Sequence, residues 1–362
     1  MKVAVLGSGN GGCAVAYDFA AHGREVSLYD LEAFPENIAA VGRQGGIHAE
    51  GDIAPAGFAP IAYAGHDAGR ALNGAELVLA VGPAYSTTPL AQACRPYLRE
   101  GQVVIVCPGS CGGAVEFKKA ANLPLRDRGV IVAETHTLPY AVRLMSPGRV
   151  RVFLKLKAGV FISALPARDT RRALDLVRDV YPCLTPARNI LQTGLQNANP
   201  IIHPAVTLLN AARIERTRGD FLFYEEGVTP AVGRLIEALD RERIAIGRQL
   251  GLDLVPDPKI SLAQGYMAES TYDVGYSTAP GFKGIKAQSS LDHRYFNEDV
   301  GHGLVFLHDL GLQVGVATPC IDAVVRLASC LMRRDYLGEA RRTMASLGLC
   351  GRSADELTAL LE

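Results

Sequence analysis

Two sets of residues in this chain have types and spacings suited to chemistry. The first is "GSGNGG", in which Gly7, Gly9 and Gly12 stand at G-x-G-x-x-G spacing directly after the apolar run "KVAVL". Gly7 permits a tight turn, Gly9 lets backbone approach a pyrophosphate, and Gly12 allows close packing of helix on strand. The helix that opens there offers free N–H groups to an anion. Asp30 ends the next apolar run, "EVSLYD", where a carboxylate accepts hydrogen bonds from an adenosine ribose. The same charge repels a 2′-phosphate, and Leu31 and Glu32 supply no arginine to offset it, so NAD is expected ahead of NADP. Asn10 within the loop, and Pro83 in "VGPAYSTTPL", complete the candidate cofactor set; "CPGSCGG" (107–113) is a third small-residue loop of the same kind.

The second set lies in the other half of the chain. In "NANPIIHPAVTLLNAARIE", Pro200 and Pro204 crowd a helix start and place His203 in its first turn. A helix N-terminus disfavours a cationic imidazole and moves it toward the range useful for proton transfer. "LDHRYFNEDVGHGL" then gathers Arg294, Tyr295, Glu298 and Asp299. An arginine can fork onto a carboxylate, and an aspartate can orient an imidazole. His136, His293 and His302 are further candidates for supporting roles.

The elements that must position these residues differ between the two halves. "KVAVL", "EVSLYD", "ELVLAVG", "QVVIVC" and "GVIVAE" are short, Val/Ile-rich and alternate with helical patterns at 11–22 and 87–98. Near-continuous apolar strands separated by helices indicate a parallel sheet covered on both faces. "RVRVFLKLKAGVFISALP" follows as two alternating runs expected to pair through Ala158-Gly159 and extend the sheet antiparallel. Beyond about 185 the patterns become helical. Thr229-Pro230 opens an apolar stripe that Gly251 stops, Thr318-Pro319 opens another helix, and Ser353 with Glu356 forms a capping box. The expected organisation is α/β: a Rossmann dinucleotide-binding domain over 1–185, followed by an all-helical substrate domain over 186–362.

Composition narrows the partners. The chain has 362 residues, is 48% hydrophobic and 20% charged, and carries no net charge. That balance gives no reason to expect a nucleic acid or an anionic membrane, and points to small-molecule ligands. No apolar stretch reaches the length of a membrane span without interruption. The eight cysteines contain no C-x-x-C and are expected as buried, reduced thiols; no His/Cys set suggests a metal. A first strand beginning at Lys2 leaves no room for a leader peptide, and the cytoplasm is the expected compartment.

Taken together, "GSGNGG", "AETHTLPYAVR", "NPIIHPAVTLLNAARIE", "EEGVTPAV" and "RYFNEDVGHGL" resemble the opine dehydrogenase family, which includes octopine and nopaline dehydrogenases, along nearly the whole chain. The resemblance implies a Rossmann domain joined to a helical one, with substrates bound between them. It also implies NADH-dependent reduction of the imine formed between a 2-oxo acid and the amino group of an amino acid. By position it assigns catalysis to His203 with Asp299 as its orienting group, a substrate carboxylate to Arg294, and a place near the reaction centre to Glu134 and Thr135. It leaves room for a homodimer and leaves both substrates unspecified. Two alternatives stay open: a carbonyl reductase of the hydroxy-acid or ketopantoate type, and a dinucleotide-binding protein without turnover. Several such reductases use a lysine, and Lys155 and Lys157 fall in the expected antiparallel strands, which disfavours a lysine mechanism.

Overall fold

Short apolar runs such as Leu77–Ala80 and Val103–Val106 become strands here because they can bury both faces. Twelve strands form: β1 Lys2–Leu6, β2 Glu25–Tyr29, β3 Gly46–Gly51, β4 Gly57–Pro60, β5 Tyr63–Gly65, β6 Leu77–Ala80, β7 Val103–Val106, β8 Ile131–Thr135, β9 Tyr140–Ser146, β10 Arg149–Lys155, β11 Val160–Leu165 and β12 Leu184–Pro186. The structure, a computed structural model, describes residues 1–362. Eight strands build one sheet in the order β12-β11-β8-β7-β6-β1-β2-β5. Its pairings are parallel apart from β11 with β8. Strands β6, β7 and β8 are buried along their whole length, as a doubly covered sheet requires. Successive connections leave β1 in opposite directions, to β2 on one side and β6 on the other. This is the topological switch point at which such sheets open a ligand crevice.

The expected hairpin through Ala158-Gly159 does not form. β10 joins β4, β3 and β9 in a separate four-stranded sheet, while β11 joins the main sheet. Their burial explains the separation. β10 alternates exposed and buried positions, suiting a sheet with one wet face, whereas β11 is buried at five of its six positions. Lys155, at the end of β10, donates to the wholly buried Asp18 at 2.6 Å, so its charge ties β10 to the first helix; Lys157 lies in the connection.

Two compact units result: Met1–Gly109 with Gly113–Thr193 and Leu361–Glu362, and Ser110–Gly112 with Gly194–Leu360. The sheet unit therefore extends past 185, because β12 pairs with β11 and carries the chain on to Thr193. Within the sheet unit the helices used below are α1, Asn10–Ala21, and α2, Gly113–Ala120. The second unit is built on α3 Asn199–Leu209, α4 Pro230–Gln249, α5 Asp257–Gln264, α6 Val305–Val314, α7 Pro319–Met332 and α8 Ala354–Leu361, whose last residue belongs to the sheet unit. Thr229 caps α4 through Val232 N, and the Ser353–Glu356 box closes in both directions at 2.8 and 3.2 Å. Ser110–Gly112 clusters with this unit because the buried Arg342 guanidinium donates to the carbonyls of Ser110 and Cys111. All eight cysteines are unpaired, but Cys330 and Cys350 are exposed, contrary to expectation. Cys330 lies on the side of α7 that also exposes Leu327 and Leu331, so the apolar run "RLASCLM" is only partly turned inward. No helix is long and apolar enough to cross a membrane.

The helical core encloses an ionic network. Arg243, fully buried, donates to Asp240, Leu195 O and Val255 O; Asp240 also accepts from Tyr272 at 2.6 Å and from Asp257 N. One arginine thus faces two carboxylates. Burial, reinforced by the charge of Asp240, raises the Asp257 carboxyl to about 6, against the opposing hydrogen bond from Tyr276. A carboxyl raised on folding stabilises the fold while protonated, and that contribution is lost as pH rises from the unfolded value near 4 through about 6. For a shift of this size the loss is about 3 kcal/mol. Asp257→Asn, which mimics the protonated group, should flatten stability between pH 4 and 6 and melt no lower than the wild type at pH 8. Thermal melts across pH test this; an unchanged slope in the variant would remove Asp257 as its source.

Candidate functional site

The glycine turn follows β1 at the switch point. Gly7 has φ +103°, and a β-carbon there would overlap the carbonyl oxygen of Val81, the residue after β6. A β-carbon on Gly12 would overlap the Gly7 carbonyl, so these two glycines pack backbone on backbone. Gly9 is different: nothing lies within 4 Å of where its β-carbon would be. Gly9 is also the N-cap of α1, with no side-chain cap and no acidic residue in the first turn. The first N–H groups of a helix have no acceptor within it. An open cradle, uncapped N–H groups and a first turn free of acidic residues fit a dinucleotide pyrophosphate.

Asp30 lies just beyond β2, mostly buried. Its Oδ2 accepts from Ser8 N at 2.7 Å and Ser8 Oγ at 2.6 Å, and its Oδ1 accepts from Leu31 N at 2.8 Å. Each carboxylate oxygen offers two lone-pair directions, so Oδ1 keeps capacity for a ribose hydroxyl. Ser8 has no signal of its own in the sequence, because it fills a variable position of the glycine pattern. Asn10 turns its amide oxygen to Leu144 N at 2.8 Å, tying α1 to β9. Pro83 precedes a short 3-10 turn, and its carbonyl accepts from Ser86 N and Oγ.

Glu134 is enclosed rather than presented. It is fully buried, with Oε2 accepting from Ala114 N at 2.7 Å and Oε1 from Thr193 Oγ1 at 2.6 Å. It serves the first turn of α2 through Ala114 N and reaches the end of the sheet unit through Thr193. Thr135 Oγ1 meets Cys107 Sγ at 3.3 Å. His136 accepts from Phe161 N, and His293 caps the short helix Arg294–Asn297, so both are engaged in holding backbone.

In the second unit the fold joins residues 96 apart in sequence. His203 is the fifth residue of α3, one turn deeper than the proline pattern suggested, since the helix opens at Asn199. Asp299 begins a π-helical turn, Asp299–Leu304, in which the Glu298 carbonyl accepts from both His302 N and Gly303 N. Such turns recur at functional sites because they redirect side chains. Gly303 lets this turn touch α3: a β-carbon there would overlap the ring of Pro200. His203 Nδ1 and Asp299 Oδ2 consequently lie 2.8 Å apart, both buried. On the other side of the ring, Nε2 lies 3.0 Å from the Tyr224 hydroxyl. Tyr295 stacks on the imidazole with centroids 4.0 Å apart and planes 22° apart. Tyr224 was not singled out in the sequence, where it is one aromatic among three in "FLFY". Arg294 lies one residue before Tyr295, half exposed, and pairs with Glu298 at 2.9 Å rather than with Asp299.

The match is then to known proteins. A family model described as NAD/NADP octopine/nopaline dehydrogenase, alpha-helical domain, matches residues 186–332. An opine dehydrogenase of Arthrobacter sp. (strain 1C) is 38% identical over 99% of this chain and 98% of its own. The chain belongs to the opine dehydrogenase family. The protein ocs of Agrobacterium tumefaciens (strain Ach5) is 26% identical over 99% of both chains. A solved octopine dehydrogenase, with NADH and L-arginine, superposes with a TM-score of 0.80 at 19% identity, covering 100% of this chain and 98% of that one. The Rossmann-plus-helical plan of opine dehydrogenases is therefore the fold of this chain.

The glycine turn of this opine dehydrogenase family member separates folding from binding. Gly9→Ala, at an ordinary φ of −73° with open space beside it, should leave the melting temperature unchanged and weaken NADH by about tenfold, or 1.4 kcal/mol. Gly12→Ala should instead cost about 1–3 kcal/mol of stability through overpacking. Melts and fluorescence titrations on both variants test this; equal losses of stability would contradict the open cradle.

Proposed function

We propose that this protein joins a 2-oxo acid to the amino group of an amino acid, with His203 and Asp299 handling protons and Arg294 holding a substrate carboxylate. Family membership makes it a nicotinamide-dependent dehydrogenase acting on CH–NH bonds. Bound NADH supplies the hydride. The Asp30 carboxylate, with no arginine at Leu31 or Glu32, favours NADH over NADPH. The substrates are small molecules, and we place the protein in the cytoplasm, where its unpaired thiols stay reduced.

The observation that carries the proton-transfer reading is the His203–Asp299 pair at 2.8 Å. A carboxylate there keeps a proton on Nδ1 and makes Nε2 the exchanging nitrogen. That nitrogen gives a proton during imine formation and reduction, and accepts one in the reverse direction. Arg294, half exposed and next in sequence to the Tyr295 that stacks on His203, has the planar fork that fixes a carboxylate in orientation. Lys155 is taken up by the buried Asp18, so it is not free to act on a substrate.

His203→Ala should lower kcat by roughly 10²–10⁴ while leaving NADH affinity nearly intact. Asp299→Asn should act in the same direction, and the double variant should be far from additive. Steady-state kinetics on the three variants test this; a His203→Ala enzyme of normal kcat would reduce the pair to a structural contact. The amine requirement decides the reaction class. With a 2-oxo acid alone, NADH consumption should be negligible; the matching amino acid should restore it and give a product weighing both substrates minus one oxygen. Amine-independent turnover to a hydroxy acid would establish a carbonyl reductase instead.

A further inference from the structure

We infer that Tyr224 is a further catalytic residue, its hydroxyl being the group through which His203 exchanges protons with the substrate nitrogen. The inference rests on the opine reading above and goes beyond it in naming the atom that meets the substrate.

The geometry leaves His203 little other route. Asp299 occupies Nδ1, so proton exchange falls to Nε2. Nε2 faces the Tyr224 hydroxyl at 3.0 Å, well within hydrogen-bond reach. Tyr295 covers one face of the imidazole by stacking, and Phe223 meets the ring at a centroid distance of 6.2 Å. His203 and Tyr224 are both buried, and the hydroxyl lies directly in front of Nε2. A phenol is suited to stand in that path because one oxygen both donates and accepts.

Tyr224 is also held more firmly than a casual hydrogen bond needs. Its ring stacks on Phe282 with centroids 4.2 Å apart and planes 14° apart, and Phe282 stacks in turn on Tyr266. The surrounding turn is pinned by Phe223 N donating to Ile285 O, Ala287 N to Phe221 O, and Leu222 N to Glu226 Oε2. Gly227 is required there, because a β-carbon would overlap the Phe223 carbonyl. The hydroxyl is therefore positioned from both its ring and its backbone.

The proton balance is as follows. During reduction the O–H bond of Tyr224 breaks as an N–H bond forms on the imine nitrogen, and the imine carbon receives the hydride of NADH. In the same step the Nε2–H bond of the His203 imidazolium breaks and restores the Tyr224 O–H. His203 is left neutral, with its remaining proton on Nδ1 facing Asp299. Coupling the two transfers means that the phenol oxygen never carries a full negative charge.

The test compares wild type with Tyr224→Phe, His203→Ala and the double variant, in NADH oxidation with a 2-oxo acid and an amino acid, in mixtures of H₂O and D₂O. Tyr224→Phe keeps the stack on Phe282 and removes only the oxygen. It should lower kcat by about 10–10²-fold, with the NADH dissociation constant unchanged within about twofold. The double variant should be no slower than His203→Ala, because the two groups act in series. The wild-type rate should bow with deuterium fraction, as two protons move together, and the Tyr224→Phe rate should be linear. A kcat within about threefold of wild type would overturn the relay, since a general acid–base contributes far more. A linear wild-type dependence would overturn it as well, without any variant. The same assay separates this failure from that of the opine reading. Wild-type turnover without amine overturns both, whereas amine-dependent turnover with an unaffected Tyr224→Phe overturns the relay alone.

Discussion

The contact between Gly303 and Pro200 sets the geometry of the His203–Asp299 pair. Because Gly303 has no side chain, the π-helical turn that begins at Asp299 can rest on the ring of Pro200 in α3. His203 lies three residues beyond Pro200 on the same helix, so this approach carries the Asp299 carboxylate to Nδ1. A methyl group at Gly303 would have to push turn and helix apart, and a hydrogen bond fades steeply with displacements of a few tenths of an ångström. The sheet unit uses the same device, with Gly7 against Val81 and Gly12 against Gly7 bringing the turn down onto the switch point. Both candidate sites thus depend on side chains that are absent.

Buried charge is handled in two ways. Asp18 with Lys155, and Asp240 with Arg243 and Asp257, lie sealed inside their units and satisfy one another or nearby backbone. Glu134 belongs with these, its oxygens taken up by Ala114 N and Thr193 Oγ1. Breaking such groups is costly because an uncompensated charge would remain in a low dielectric. The second kind is incompletely enclosed: the His203 side chain keeps 10% exposure, and Arg294 stays half exposed while paired. That partial exposure leaves Arg294 able to meet a ligand without dismantling the core.

Local chemistry was legible in the sequence wherever one stretch of chain sufficed. The strand–turn–helix of "VLGSGNGG", the acid ending the next strand, the Thr-Pro helix starts and the Ser353–Glu356 box depend on residues a few positions apart, so backbone and side chain act within a single turn. His203 and Asp299 stood out by residue type and by family resemblance. Their separation of 2.8 Å did not, because it comes from a π-turn and a glycine contact that carry no periodic signature. Tertiary structure also decided the fate of the two runs around Ala158-Gly159, since alternation alone cannot say which sheet offers each strand a partner of matching burial. It sealed Glu134, whose place after an apolar strand suits a wall of the core as well as the edge of a site. It brought Tyr224 to Nε2 and Ser8 to Asp30. Sequence determines which groups a chain can offer; distances between groups far apart along it are set by packing, where one absent β-carbon moves a helix.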